Sequence, residues 1–112
     1  MDKRHTYAQM QQTVQAFHDK YHLREKGGEE LLYRLALMTE ELGEISECVT
    51  KGKPRDALAE ECADLLILLV GTAIAADFDL EKSFWVKMDE LMRRPARMVD
   101  GRIRVSRFGE DS

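Results

Sequence analysis

Two pairs of acidic residues lie at helical spacing inside otherwise mostly apolar stripes. Glu41 and Glu44 interrupt Leu37-Glu41-Glu44-Cys48, and Glu61 and Asp64 interrupt Ala57-Glu61-Asp64-Leu68-Gly71-Ala75. Residues three and four apart share a helix face, so the carboxylates within each pair converge. Glu40 lies four before Glu44, and Glu60 four before Asp64, and each is placed to add an oxygen at the edge. If the two segments form an antiparallel hairpin, residues whose numbers share a sum lie opposite each other. Glu41 with Asp64, and Glu44 with Glu61, both sum to 105, which centres the hairpin between Gly52 and Lys53. All four acids then meet at one height, roughly two helical turns above the loop.

Like charges this close repel, and a partly buried carboxylate is costly to ionise. Either the acids protonate or splay into water, or a divalent cation supplies the missing positive charge. Hard oxygen ligands favour Mg²⁺, with Mn²⁺ as a substitute, over zinc. An oxygen-only site of this kind keeps positions open for water and phosphate oxygens, the chemistry of phosphoryl transfer or pyrophosphate release. A redox di-iron bundle needs Glu-x-x-His pairs, and Glu44 and Asp64 stand where those histidines belong.

The elements that must carry these acids read almost entirely as helix. Thr6-x-x-Gln9 is a capping box, and the helix behind it runs to about Lys20. Lys26-Gly27-Gly28 breaks the chain, and Glu29 and Glu30 suit the positive end of a second helix. That helix carries Leu31, Leu35, Met38, Leu42, Ile45 and Val49 at the spacing of a packed seam. Lys51-Gly52-Lys53-Pro54 ends it, with glycine just past the end and proline where the next helix begins. The third helix repeats the spacing with Leu58, Cys62, Leu65, Leu69, Thr72 and Ala76. Its second half is apolar nearly all round, which places it in the middle of the fold. Asp79 caps a fourth helix from about Leu80 to Arg94, ended by Pro95, and Val99-Asp100-Gly101-Arg102 suits a tight turn in an otherwise extended tail. The expected class is all-α: a four-helix bundle with an antiparallel central hairpin and an extended basic C-terminal tail. The expected organisation is one domain over 1–112, with a helical core of about 6–94 and a tail of 95–112.

With 112 residues the chain has room for a single domain. A lone fold of this size buries only about two-thirds of its unfolded surface, so association with further copies would help it. The longest apolar-type run, Leu65 to Ala76, has twelve residues, short of the roughly 20 needed to span a bilayer. The N-terminus Met1-Asp2-Lys3-Arg4-His5 leads into no apolar signal core, and Cys48 and Cys62, with no Cys-x-x-Cys, read as small core residues of a cytoplasmic protein. The net charge of -4 hides an asymmetry. Glu40 to Asp64 holds eight acids against three bases, whereas Arg93 to Arg107 holds six arginines against Asp100 alone. An acidic middle argues against nucleic-acid binding through the core, while the basic tail suits contact with phosphates or a neighbouring subunit.

At this point the residues resemble a known family. Glu40-Glu41-Leu42-Gly43-Glu44, sixteen residues, then Glu61-Cys62-Ala63-Asp64 is similar to the Glu-x-x-Glu and Glu-x-x-Asp signature of the MazG-like all-α nucleoside triphosphate pyrophosphohydrolases, over about residues 29 to 94. The resemblance implies Mg²⁺-dependent cleavage of a nucleoside triphosphate between its α and β phosphates, giving a monophosphate and pyrophosphate as nucleotide-pool housecleaning. It implies that Glu41, Glu44, Glu61 and Asp64 hold the metal, and that Glu40, with Glu41, serves catalysis by orienting the attacking water or holding a further ion. It also implies a homodimer or homotetramer. Lys87 and Arg94 match the ends of the family's Lys-x-x-x-Asn-x-x-Arg motif and are candidate phosphate ligands. Leu91 replaces the asparagine, and leucine cannot make that polar contact. Trp85, on the same helix as Lys87, is the best candidate to stack on a base.

Other signals read as ordinary structure. His18 and His22 have no third ligand nearby in sequence and are expected as surface histidines, and Phe17, Tyr33 and Phe84 as core. Lys51, Lys53 and Arg55 are expected as a solvated loop. Two alternatives differ in kind: a non-enzymatic helical binding module using the Arg-rich tail, and a related phosphoribosyl-nucleotide pyrophosphohydrolase.

Overall fold

Thr6 starts the first helix by a reciprocal cap. Its Oγ1 accepts from the Gln9 amide at 3.2 Å, and Gln9 Oε1 accepts from the Thr6 amide at 2.8 Å. The computed structural model describes residues 6–107; the polar N-terminal stretch and the last residues of the tail lie outside the described residues. The elements are α1 (Tyr7–Lys20), α2 (Leu31–Thr50), α3 (Arg55–Ala76), α4 (Leu80–Leu91), β1 (Ala96–Val99) and β2 (Arg102–Val105).

Glycine ends α2 as expected. Gly52 takes φ +60, and the amides of Gly52 and Lys53 donate to the carbonyls of Val49 and Cys48 at 3.2 and 2.9 Å. This pair of bonds satisfies carbonyls that the helix end leaves without partners. Pro54 follows and opens α3. At the far end Asp77 stands in the left-handed region at φ 59, and the Phe78 amide donates to Ala73 O at 3.0 Å, which stops α3. Asp79 caps α4 by accepting from the Lys82 amide at 2.9 Å.

The chain divides into two compact units between Phe78 and Asp79. In the first, α3 packs against both α1 and α2, and its Val70 and Ala73 are buried together with Val14 of α1 and Cys48 of α2. The second half of α3 is therefore packed from two sides but not enclosed as its sequence predicts, since Leu66, Ile67 and Leu69 stay more than 40% exposed. An apolar groove of about 520 Å³ runs between α1 and α3, lined by Met10, Val14, Phe17, Leu66, Ile67 and Val70.

The expected seam of α2 is covered only in part, at Met38 and Ile45. Leu31, Leu35, Leu42 and Val49 are 52%, 56%, 58% and 66% exposed, while the covered face runs through Arg34, Leu37, Met38, Glu41, Ile45 and Cys48. The stripe that carries the acids is thus turned inward at Leu37, Glu41 and Cys48, but not at Glu44. Helical periodicity marks both stripes as apolar but does not say which is covered within one chain. Three further expectations are corrected. Cys62 is exposed and only Cys48 is core. His18 is buried at 3% exposure, held by the polar cluster described below. Phe17, Tyr33 and Phe84 are about half exposed, not core.

In the second unit α4 stops at Leu91, three residues before the expected end, because Pro95 disfavours helical geometry at Arg94. The tail is not simply extended. Asp100 and Gly101 take φ 54 and 83, a two-residue turn with both central residues left-handed, and β1 pairs antiparallel with β2 in the register Val99 to Arg102 and Ala96 to Val105. Asp-Gly is the residue pair this turn demands. Among the described residues the elements are therefore four helices and one exposed β-hairpin.

Candidate metal centre

Glu41 is presented by α2, and Glu61 and Asp64 by α3. One carboxylate oxygen from each lies within 4.8 Å of the others. All three residues are half-buried. Glu41 Oε1 and Glu61 Oε1 are buried, with no hydrogen-bond partner for the ionised groups among the described residues. Two buried acceptors without a donor leave their desolvation uncompensated.

The electrostatics follow from that geometry. The Glu61 carboxyl is pushed up to about 7, first by the hydrogen bond its protonated form gives to Glu44. Burial, the Glu44 charge, a second such bond to Glu41 and the Asp64 charge all act in the same direction. Glu41 is raised as well, by burial and by the charges of Glu44 and Asp64, against the bond it accepts from Glu61. One proton shared among several carboxylates is how such a cluster stays tolerable without a cation. Glu44 is exposed but within reach of Glu61. Glu40 is exposed and adds negative charge near Glu41, and Glu60 is exposed on α3. An oxygen-only donor set with buried, partnerless lone pairs and surplus negative charge fits a hard divalent cation.

Sequence reading missed a buried polar cluster that ties the three helices of this unit together. Arg34, 2% exposed, donates from Nε to Thr72 Oγ1 at 3.1 Å, from Nη1 to Gly28 O at 3.0 Å and from Nη2 to Leu68 O at 2.9 Å. Beside it His18 Nδ1 lies 2.7 Å from Glu29 Oε2, so that nitrogen carries the proton, and Arg24 Nε donates to Glu29 Oε1 at 3.0 Å. Burial pulls the Glu29 carboxyl up, but the bonds from His18 and Arg24 outweigh it and leave it below the usual range. Gly71 makes room: a Cβ there would stand 2.4 Å from Arg34 Nη2 and 2.6 Å from His18 Nε2. The signal was a glycine inside an apolar helix, which marks close approach of another group. The anchors at Leu68 and Thr72 sit one and two turns beyond Asp64, so this cluster fixes α2 against α3 close to the acids.

Lys87, Arg94 and Trp85 lie in the second unit. Trp85 is 62% exposed on α4, with the Phe84 ring edge-on at 5.0 Å. Lys87 and Arg94 both pair with Glu90, at 3.1 and 2.9 Å. Lys51 and Lys53 form an exposed turn, as expected, and pair with Glu47 at 3.0 and 3.6 Å, whereas Arg55, expected in that loop, begins α3. No helix among the described residues is long and apolar enough to cross a membrane.

Comparison with curated proteins and with solved structures gave no match. A family model described as the MazG nucleotide pyrophosphohydrolase domain matches residues 30–98. That span holds α2, α3 and α4 with every acid of the cluster, and it covers more than half of the chain. The chain belongs to the MazG nucleotide pyrophosphohydrolase family.

Proposed function

We propose that this protein hydrolyses nucleoside triphosphates, ribo or deoxy, between the α and β phosphates with Mg²⁺, releasing a monophosphate and pyrophosphate as housecleaning of a cytoplasmic nucleotide pool. The observation that carries the reading is the convergence of Glu41, Glu61 and Asp64, with two buried carboxylate oxygens that have no hydrogen-bond partner among the described residues. Glu41, Glu44, Glu61 and Asp64 hold the ion; Mn²⁺ is the expected substitute. When bound there, the cation supplies positive charge to phosphate oxygens and acidity to water. Glu40, exposed beside the cluster, orients the attacking water and takes its proton, and Glu41 positions it. Lys87 and Arg94 are assigned to the phosphates and Trp85 to the base. Leu91, at the position where a polar contact is expected, leaves base and sugar choice to other groups.

The working form is a homodimer or homotetramer built on an antiparallel α2–α3 hairpin. Supporting it, Leu31, Leu35, Leu42 and Val49 form an apolar stripe that one chain leaves half or more exposed. The test incubates the protein with each nucleotide and Mg²⁺, phosphoribosyl-nucleotides included, and separates products by ion exchange. Monophosphate with pyrophosphate is expected. Diphosphate with orthophosphate refutes the bond assignment, and no product with any nucleotide refutes the activity.

A further inference from the structure

Arg34 stands on the covered face of α2, two helical turns before Glu41. Three bonds close a ring there. Arg34 Nε donates to Thr72 Oγ1 at 3.1 Å, the Thr72 hydroxyl donates to Leu68 O at 2.8 Å, and Arg34 Nη2 donates to the same carbonyl at 2.9 Å. Leu68 and Thr72 follow Asp64 by one and two turns along α3. Met38, one turn after Arg34, borders the ring with its Sδ 3.9 Å from Thr72 Oγ1. The remaining acceptor, Gly28 O, is neutral like the other two, so the buried guanidinium is held by dipoles alone. Burial disfavours its charge, and the nearby Glu29 charge offsets only part of that.

Stability does not call for an arginine at this place. An apolar side chain of similar length would fill the space without burying a charge, and exchanges of that kind are often neutral or stabilising. What apolar packing does not supply is a fixed offset, because sliding one apolar stripe along another trades one contact for a similar one. The ring of bonds forms at one offset only, since a displacement of about 1 Å takes its donors out of hydrogen-bond range. The acids need that constraint: a metal site holds its ligands to within about 0.5 Å, and a slip of one residue along a helix axis is about 1.5 Å. We propose that Arg34 is a positioning residue for the acidic cluster: its ring with Thr72 and Leu68 O sets the offset of α2 on α3 at which Glu41 meets Glu61 and Asp64. Fixing register at some cost in stability is the best-attested use of a buried polar group. The inference rests on the metal reading above and adds Arg34 and Thr72 to it.

The probe is Mn²⁺ alone, titrated into the full-length protein at pH 8 and followed by the electron paramagnetic resonance of the free ion. Thermal unfolding by circular dichroism is read on the same samples. Arg34→Met weakens Mn²⁺ binding at least fivefold, and Arg34→Lys, which keeps a donor, returns part of the loss. Thr72→Val, which keeps the shape but removes the hydroxyl, weakens binding at least threefold, and Thr72→Ser restores it. The double variant Arg34→Met with Thr72→Val binds no worse than Arg34→Met alone, because both act through one ring. Val14→Ala truncates a buried side chain of α1 and lowers Tm, yet leaves the Mn²⁺ Kd within twofold, which separates positioning from stability. An unchanged Kd in folded Arg34→Met or in Thr72→Val, or equal weakening by Val14→Ala, overturns the proposal. Should Arg34→Met not fold, Thr72→Val decides. If wild type binds no Mn²⁺, the metal reading falls and the offset is read without metal: nuclear Overhauser contacts between the side chains of Met38 and Thr72 are lost in Arg34→Met, and their persistence at full strength overturns the role of Arg34.

Discussion

Gly71→Ala tests the packing that holds the acid-bearing helices in register. The new Cβ would stand 2.4 Å from Arg34 Nη2, about 1 Å inside ordinary contact, and 2.6 Å from His18 Nε2. Arg34 has little freedom to retreat, because it is 2% exposed and its guanidinium already meets three acceptors. A shift of about 1 Å breaks the Nη2 bond to Leu68 O, now 2.9 Å, and a bond from a charged donor contributes about 1.5–3 kcal/mol. Overpacking adds about 1–3 kcal/mol, and the better helix propensity of alanine returns about 1 kcal/mol. The net loss is about 1.5–5 kcal/mol, which lowers Tm by roughly 6–25 °C in a domain of this size. The assay is thermal unfolding at 222 nm in EDTA and at fixed protein concentration, since ligand and association both move Tm. In an Arg34→Met background the same change should cost roughly half as much, because only the His18 contact remains. A Gly71→Ala protein more stable than wild type, as helix propensity alone demands, would refute the reasoning.

Without metal, the raised Glu61 carboxyl binds a proton in the native chain that the unfolded chain has released. Its contribution is therefore complete below about pH 4.5 and lost as pH rises through about 7, so urea melts in EDTA should show wild type losing stability relative to Glu61→Gln across that window. Mg²⁺ at a hundred times its Kd should raise stability by about 2.7 kcal/mol at pH 8, seen as a higher Tm, with the gain reduced in Asp64→Asn. Glu41→Gln and Asp64→Asn should lower kcat for triphosphate hydrolysis at least a hundredfold while far-UV circular dichroism stays native, and retained turnover would remove those residues from the site.

Much of the helical frame was legible because its signals are local. Thr6 with Gln9, Gly52 with Pro54, and Asp79 each satisfy backbone groups within a few residues, and each ends or begins a helix where the sequence predicts. The Asp100-Gly101 turn was legible too, but not the strand pairing it closes, because exposed four-residue strands carry no buried alternation to read. The convergence of Glu41, Glu61 and Asp64 was readable from spacing plus the position of one turn. The covered face of α2 was legible only at Met38 and Ile45, since Leu35 and Leu42 are as apolar as Leu37, and only three-dimensional packing decides which stripe is covered. The Arg34 and His18 cluster escaped because its partners lie far apart in sequence and two of them are backbone carbonyls. Arg107 reaches Glu90 across seventeen residues for the same reason, carried there by a hairpin that local pattern does not place.

The proposed function needs carboxylates from α2 and α3 to gather around a divalent cation. Anomalous diffraction from crystals soaked in Mn²⁺ tests it most directly. A peak at about 2.0–2.4 Å from oxygens of Glu41, Glu61 and Asp64 is the expected result. Mn²⁺ bound elsewhere, with these side chains turned apart into solvent, would contradict it.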